Sequence, residues 1–151
     1  MILVVDTNVV VSAAFWPRSE DYRCFVLLAR RKCRLAVTDF ILREYRSPAV
    51  RVGRRECPGR DPGPFLDWIE SVALLVEPSP LGKPRSRDSK DDPFLGCALA
   101  SRADFIVTKD KDLLALEKPF GVEIITPREF YRKVESQAGS GVTVPSGPGP
   151  V

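Results

Sequence analysis

The 151-residue sequence contains no histidine. That absence removes imidazole as a general base, the serine and cysteine triads that depend on it, and every zinc site built with His ligands. The four cysteines, Cys24, Cys33, Cys57 and Cys97, form no C-x-x-C pair and no zinc-like spacing. Three of them lie among apolar residues and are expected to be reduced packing side chains. Cys57, in a Pro/Gly/Arg stretch, is the expected exposed thiol. No apolar run approaches the roughly 20 residues that cross a bilayer, and the chain starts on a strand-like segment without a basic leader. The expectation is a soluble cytoplasmic protein with no membrane partner. Its chemistry must run on carboxylates, lysines, hydroxyls or a bound metal ion.

What is present suits a single globular domain. Hydrophobic residues make up 44% of the chain, enough at this length for a sizeable core. The formal charge of +3 permits a nucleic-acid partner without requiring one. Ile2 to Val5 is a continuous aliphatic run, as in a strand covered on both faces. Asp6, Thr7 and Asn8 interrupt it before Val9-Val10-Val11 resumes as a helix. An acid at that turn lies at the carboxyl edge of a parallel sheet, where open α/β folds keep their ligands. The alternative is that Asp6 or Thr7 only caps the helix.

Apolar spacing from Asp21 to Lys32 predicts a helix, and Leu35–Thr38 a strand. Asp39 opens a second strand-to-helix turn. Phe40, Ile41, Leu42 and Tyr45 form the expected buried face of its helix, Glu44 lies about a turn in, and Pro48 is the expected stop. Residues 47–63 are punctuated by Pro and Gly and rich in arginine, which predicts a loop or a broken helix. A helix over 64–73, a strand over 74–76 and a second basic loop over 78–90 follow. Residues 91–100 predict a helix with Pro93 in its first turn. Residues 105–107 read as a strand, 109–116 as a short helix and 122–125 as the last strand. Thr126, Pro127 and Glu129 carry a helix-start pattern. The folded domain is expected over 1–136, with 137–151 a flexible Gly/Pro/Ser tail. Alternating strands and helices predict an α/β fold around a parallel sheet of about five strands.

Acids recur at strand-to-helix turns or just inside the following helix: Asp6, Glu44, Asp91/Asp92 and Asp110/Asp112. A single acid near a helix start is common for dipole reasons alone. In a parallel sheet, however, all such turns share one edge, so these acids converge. Crowded carboxylates repel, and a cation resolves the repulsion. An all-oxygen donor set selects Mg²⁺ or Mn²⁺, and such an ion supports phosphodiester hydrolysis.

The segment Val4-Val5-Asp6-Thr7-Asn8-Val9-Val10, the helical Glu44, the run from Asp88 through Asp92 to Ala100, and Ile106 to Leu114 resemble a PIN domain. Within that family the VapC-like toxins of toxin–antitoxin pairs are the nearest likeness, and the similarity runs from Met1 to about Glu135. The resemblance implies a three-layer α/β/α sandwich and a metal-dependent endoribonuclease. It implies Asp6, Glu44, Asp92 and Asp110 as the acidic quartet around Mg²⁺ or Mn²⁺, with Asn8 and Thr108 orienting the carboxylates. The Asp-x-x-Leu-x-x-Ala register favours Asp92 over Asp91, and Asp112 is either a fifth acid or a helix-start residue. The family also implies RNA as substrate, a homodimer, and an antitoxin segment held against the first helices and the acidic edge.

Phe15, Trp16 and Tyr22 cluster near the end of the first helix, as an exposed interface or as cover for the core. Arg51, Arg54, Arg55, Arg60, Lys83, Arg85 and Arg87 either hold RNA phosphates or are simply solvated. A dehalogenase-type phosphatase needs a second Asp where Asn8 stands, and a phosphate-receiver module fits the motif order poorly. A catalytically silent RNA- or protein-binding domain of the same fold is the main rival, and the complete quartet argues against it.

Overall fold

In a computed structural model, residues 1–83 and 89–138 are described. Arg85, Arg87 and Asp88, and residues 139–151 of the expected tail, lie outside the described residues. Five strands form one sheet: β1 (Ile2–Val5), β2 (Arg34–Val37), β3 (Leu74–Leu75), β4 (Phe105–Val107) and β5 (Glu123–Ile125). Their order is β3-β2-β1-β4-β5 and every pairing is parallel. Among the described residues seven helices flank the sheet: α1 (Thr7–Phe15), α2 (Glu20–Ala29), α3 (Asp39–Arg55), α4 (Gly63–Val72), α5 (Asp92–Ser101), α6 (Lys111–Leu114) and α7 (Pro127–Ala138). The architecture is a three-layer α/β/α sandwich.

The central strands read as unbroken aliphatic runs because both of their faces are covered. Leu3–Val5, Leu35–Val37 and Phe105–Val107 are buried at every position. The chain steps outward from β1 to β2 and β3, then returns through α5 to pair on the other side of β1 as β4. Strand order therefore reverses between β1 and β4. The crevice outside their carboxyl ends is the switch point where this class of sheet binds ligands. The register Val5↔Val107 places Asp6 beside Thr108 there, and the Asp6 N–H donates to the Val107 carbonyl at 3.0 Å.

Caps set where the helices start. The Ser19 hydroxyl accepts the Tyr22 N–H and begins α2, and Thr38 accepts the Ile41 N–H at 3.1 Å and begins α3. At α7, Thr126 accepts the Glu129 N–H at 3.2 Å and donates its hydroxyl to the Glu129 carboxylate at 3.0 Å. In the usual capping box the glutamate returns to the cap's backbone; here it returns to the cap's hydroxyl.

Pro48 does not stop α3, which continues to Arg55. A mid-helix proline forfeits a hydrogen bond and costs about 3 kcal/mol. The buried stripe Ile41, Tyr45, Ala49 and Gly53 carries the helix across it. Gly53 sits so close to the Phe15 ring that a Cβ there would lie 3.3 Å from it. Phe15 is thus core, fully buried between α1 and α3, and does not belong to an exposed aromatic cluster. Trp16 is exposed and Tyr22 half-buried. Cys24, Cys33 and Cys97 are buried free thiols, and Cys57 is half-buried. Among the described residues no helix is long and apolar enough to cross a membrane.

Candidate active site

Asp6 has two roles at the end of β1. It is the N-cap of α1, its Oδ1 accepting the Thr7 N–H at 2.7 Å, and it stands at the switch point. Its Oδ2 accepts the Thr108 hydroxyl at 2.8 Å. The Thr108 oxygen in turn accepts the Asp110 N–H at 2.9 Å, and Asp110 Oδ1 accepts the Asp112 N–H at 2.7 Å. A hydroxyl has one proton to give and two lone pairs to receive with, so Thr108 can join two acid-bearing turns at once. Asp6, Thr108, Asp110 and Asp112 form one hydrogen-bonded chain across the carboxyl ends of β1 and β4.

Asp6 is only 6% exposed. Burial pushes its carboxyl above the usual carboxylate range. The Thr108 and Thr7 donors pull it down, neighbouring Asp110 pushes it up, and Lys109 pulls it down. Burial is the largest of these effects, so ionised Asp6 carries an energetic cost the fold does not remove.

Two further side chains shape this edge, and neither stood out in the sequence. Tyr45, fully buried on α3, donates its hydroxyl to the Val5 carbonyl at 2.6 Å and so fixes the backbone immediately before Asp6. Burial holds its phenol well above the ordinary value and keeps it a neutral donor. Asp21 on α2 is 4% exposed and takes the Lys109 ammonium at 2.6 Å. A buried acid needs such a partner, and this one ties α2 to the turn carrying Thr108 and Asp110. The available signal was an acid within the apolar repeat of that helix.

Of the other expected site residues, Glu44 and Asn8 stand outside this chain, and Asp112 joins it only through its backbone. Glu44 is exposed on α3, next to Tyr45, and makes no hydrogen bond or ion pair among the described residues. Asn8 is exposed in the first turn of α1. Asp92 opens α5, which packs on β1, β2 and β4, but it is half-buried while its neighbour Asp91 is the buried one at 5% exposure. Asp112 lies in the first turn of α6 and contributes its backbone N–H rather than its carboxylate.

Among the described residues, no three acidic or cysteine side chains gather closely enough to hold a metal ion by protein ligands alone. Mg²⁺ does not require three: it binds through one or two carboxylates and keeps several waters. The Asp6 and Asp110 carboxylates are all-oxygen donors at one edge, and Asp110 disfavours the charge of Asp6. That donor set fits a hard, hydrated divalent ion and does not fit zinc or a thiolate-bound metal.

No curated protein and no solved structure matches the chain. Residues 2–112 match the family model described as PIN domain, from the start of β1 into α6, a span that includes every member of the Asp6–Thr108–Asp110–Asp112 chain. PIN domains are generally nucleases and usually use divalent metals. With most of its length matched and its acids at the switch point of an all-parallel sheet, the chain belongs to the PIN domain family.

Proposed function

We propose that the chain is a metal-dependent endoribonuclease that hydrolyses RNA phosphodiester bonds at the Asp6–Asp110 edge. The observation that carries this is the state of Asp6: a buried carboxylate beside a second one, held by neutral donors and with no ion pair among the described residues. Asp6 and Asp110 would hold Mg²⁺ or Mn²⁺, with Asp92 and Glu44, on the helices that follow neighbouring strands, completing the acidic set. When bound, such an ion supplies a water of lowered pKa and positive charge for the leaving oxygen.

The chain's own residues orient that site. The Thr7 N–H and Thr108 hydroxyl hold the Asp6 carboxylate in one orientation, and the Asp112 N–H does the same for Asp110. Tyr45 anchors the end of β1. Lys109, tethered by Asp21, keeps a positive charge near Asp6. Cleavage of labelled single-stranded RNA in Mg²⁺ or Mn²⁺, against EDTA, tests the assignment. Activity is expected to disappear in EDTA and in Asp6→Asn and Asp110→Asn, with unchanged circular dichroism. Wild-type rates in both variants would sink the nuclease assignment, and RNA binding without cleavage would point to the silent domain instead.

The finer role in the same proposal is that of a cytoplasmic toxin, VapC-like, working as a homodimer and silenced by an antitoxin protein. Its support is the motif order from Asp6 to Asp112 and the exposed Trp16 at the end of α1. Light scattering at tens of micromolar is expected to report a dimer, and a monomer would remove that element.

A further inference from the structure

Helix α3 carries five arginines against two acids, a surplus equal to the formal charge of the whole chain. Its two faces differ sharply. Ile41, Tyr45, Ala49 and Gly53 are buried, whereas Phe40, Arg43, Ser47, Val50, Arg51 and Arg54 are exposed, with the acid Glu44 bordering them. The exposed set recurs every three to four residues and so lies along one stripe. A depression of about 470 Å³ is lined by Arg43, Arg46, Ser47, Val50 and Arg51. A second, of about 600 Å³, is lined by Val50, Arg54 and Arg60 among others. Val50 lines both, so the two shallow depressions meet on this face of the helix, and Asp61 is the one acid among their lining residues.

Two bland explanations cover only part of this face. Arg46 is engaged by Asp67 and Glu70 of α4, and Arg60 donates to the Phe15 carbonyl. Arg54 and Arg55 complement the helix dipole in the last turn. Neither explanation reaches Arg43, which lies near the positive end of the dipole, or Arg51. Arg43, Arg51 and Arg54 make no hydrogen bond or ion pair among the described residues. Phe40, expected on the buried face, is instead 45% exposed in the first turn, just after the carboxyl end of β2. From Arg43 to Arg54 the helix rises about 16 Å away from that edge.

Uncommitted guanidinium groups along this face, headed by an exposed ring, match the chemistry of a single-stranded polynucleotide: cations for phosphates and a ring for a base. A folded protein partner would need apolar anchors, and Val50 is the one aliphatic side chain on the stripe between Phe40 and Arg54. We infer that the exposed face of α3 is the track along which single-stranded RNA is held as it reaches the acidic edge. Phe40 stacks a base, and Arg43, Arg51 and Arg54 meet backbone phosphates. The inference takes its substrate class from the nuclease proposal, but the binding it describes needs neither metal nor chemistry.

The test is fluorescence anisotropy of a labelled oligouridine on the full chain in EDTA across a salt series, for wild type and Asp6→Asn. Wild type is expected to bind without metal, and Asp6→Asn, which removes a negative charge where the RNA arrives, to bind no more weakly. Combining Arg43→Ala, Arg51→Ala and Arg54→Ala is expected to flatten the slope of log K against log salt by about 2. Phe40→Ala is expected to weaken binding roughly 5- to 100-fold with the slope retained. Val50→Glu, which adds only a charge to this face, is expected to weaken binding without a change in melting temperature. It decides the matter if the triple variant fails to fold. An unchanged slope in a folded triple variant, or unchanged binding by Val50→Glu, overturns the inference even if the protein cleaves RNA. Binding that behaves as described while no cleavage occurs supports the track and removes the nuclease proposal. A polyglutamate peptide that displaces the RNA at equal affinity reassigns the face to an acidic protein and overturns it.

Discussion

The two edges of the sheet treat their acids in opposite ways. At the amino edge, Asp104 accepts the Ile2 N–H at 2.8 Å and Glu123 is paired with Lys133 at 2.7 Å. Both lie toward solvent, Asp104 with a neutral backbone donor and Glu123 with a cation, and they finish the starts of β1 and β5. At the carboxyl edge, Asp6 is buried, its donors are neutral, and its closest acidic influence is Asp110. The lysine that could have neutralised it, Lys109, is turned to Asp21 instead. The difference is burial: the amino-edge acids are solvated, whereas Asp6 is buried beside a second acid, and the proposed function places its cation there.

The largest expected effect breaks that comparison at the level of activity. Asp6→Asn should lower RNA hydrolysis by more than about 100-fold, the upper end of what losing an outer partner of a metal ligand costs, and Thr108→Val by roughly 10- to 100-fold. Asp104→Asn, at the other edge, should leave the rate within about twofold. Single-turnover cleavage measures all three, and equal losses at both edges would erase the distinction.

Stability gives the next contrast. Lys109→Met strands Asp21 as a buried carboxylate without its cation. Because Lys109 is half-exposed, the expected loss is about 1–3 kcal/mol, below that of a fully buried pair. Lys133→Met, at the exposed amino-edge pair, should cost about 0–1 kcal/mol. Urea denaturation separates the two, and matching losses would mean that Asp21 is less shielded than its burial indicates.

A smaller effect follows from Asp6 itself. Its folded-state pKa lies above the unfolded value, chiefly through burial. Below the ordinary carboxylate range both states hold the proton and Asp6 costs nothing. As pH rises through the raised folded value, the unfolded chain has already released its proton and stability is lost. Without metal, Asp6→Asn should therefore match wild type in acid and become the more stable protein toward pH 7. A stability difference independent of pH would contradict the burial of an ionisable Asp6.

Much of this edge was legible in the sequence because strand ends announce themselves. Buried parallel strands appear as aliphatic runs, and the polar residue that ends each run must sit at the edge. That reasoning reached Asp6 and Asp110, and the family resemblance added Thr108. It failed where the cause lies far along the chain. Asp21 and Lys109 are 88 positions apart, and nothing local to either shows the pair. Pro48 looks like a stop because the packing of Phe15 on Gly53, which carries α3 onward, is a tertiary contact. Tyr45 was visible as an apolar face residue, but its hydroxyl bond to the Val5 carbonyl depends on how α3 docks on β1. Asp91 and Asp92 were adjacent candidates, and only burial distinguishes the inward residue from the outward one.

Thermal melting of wild type and Asp6→Asn, in EDTA and through a millimolar Mn²⁺ titration, tests the uncompensated charge at the carboxyl edge most directly. An ion that binds the folded state alone raises its melting temperature with concentration. Wild type should rise in this way and Asp6→Asn should not move. A wild-type melting temperature that is the same in EDTA and at every Mn²⁺ concentration would contradict the assignment of this edge as a cation site.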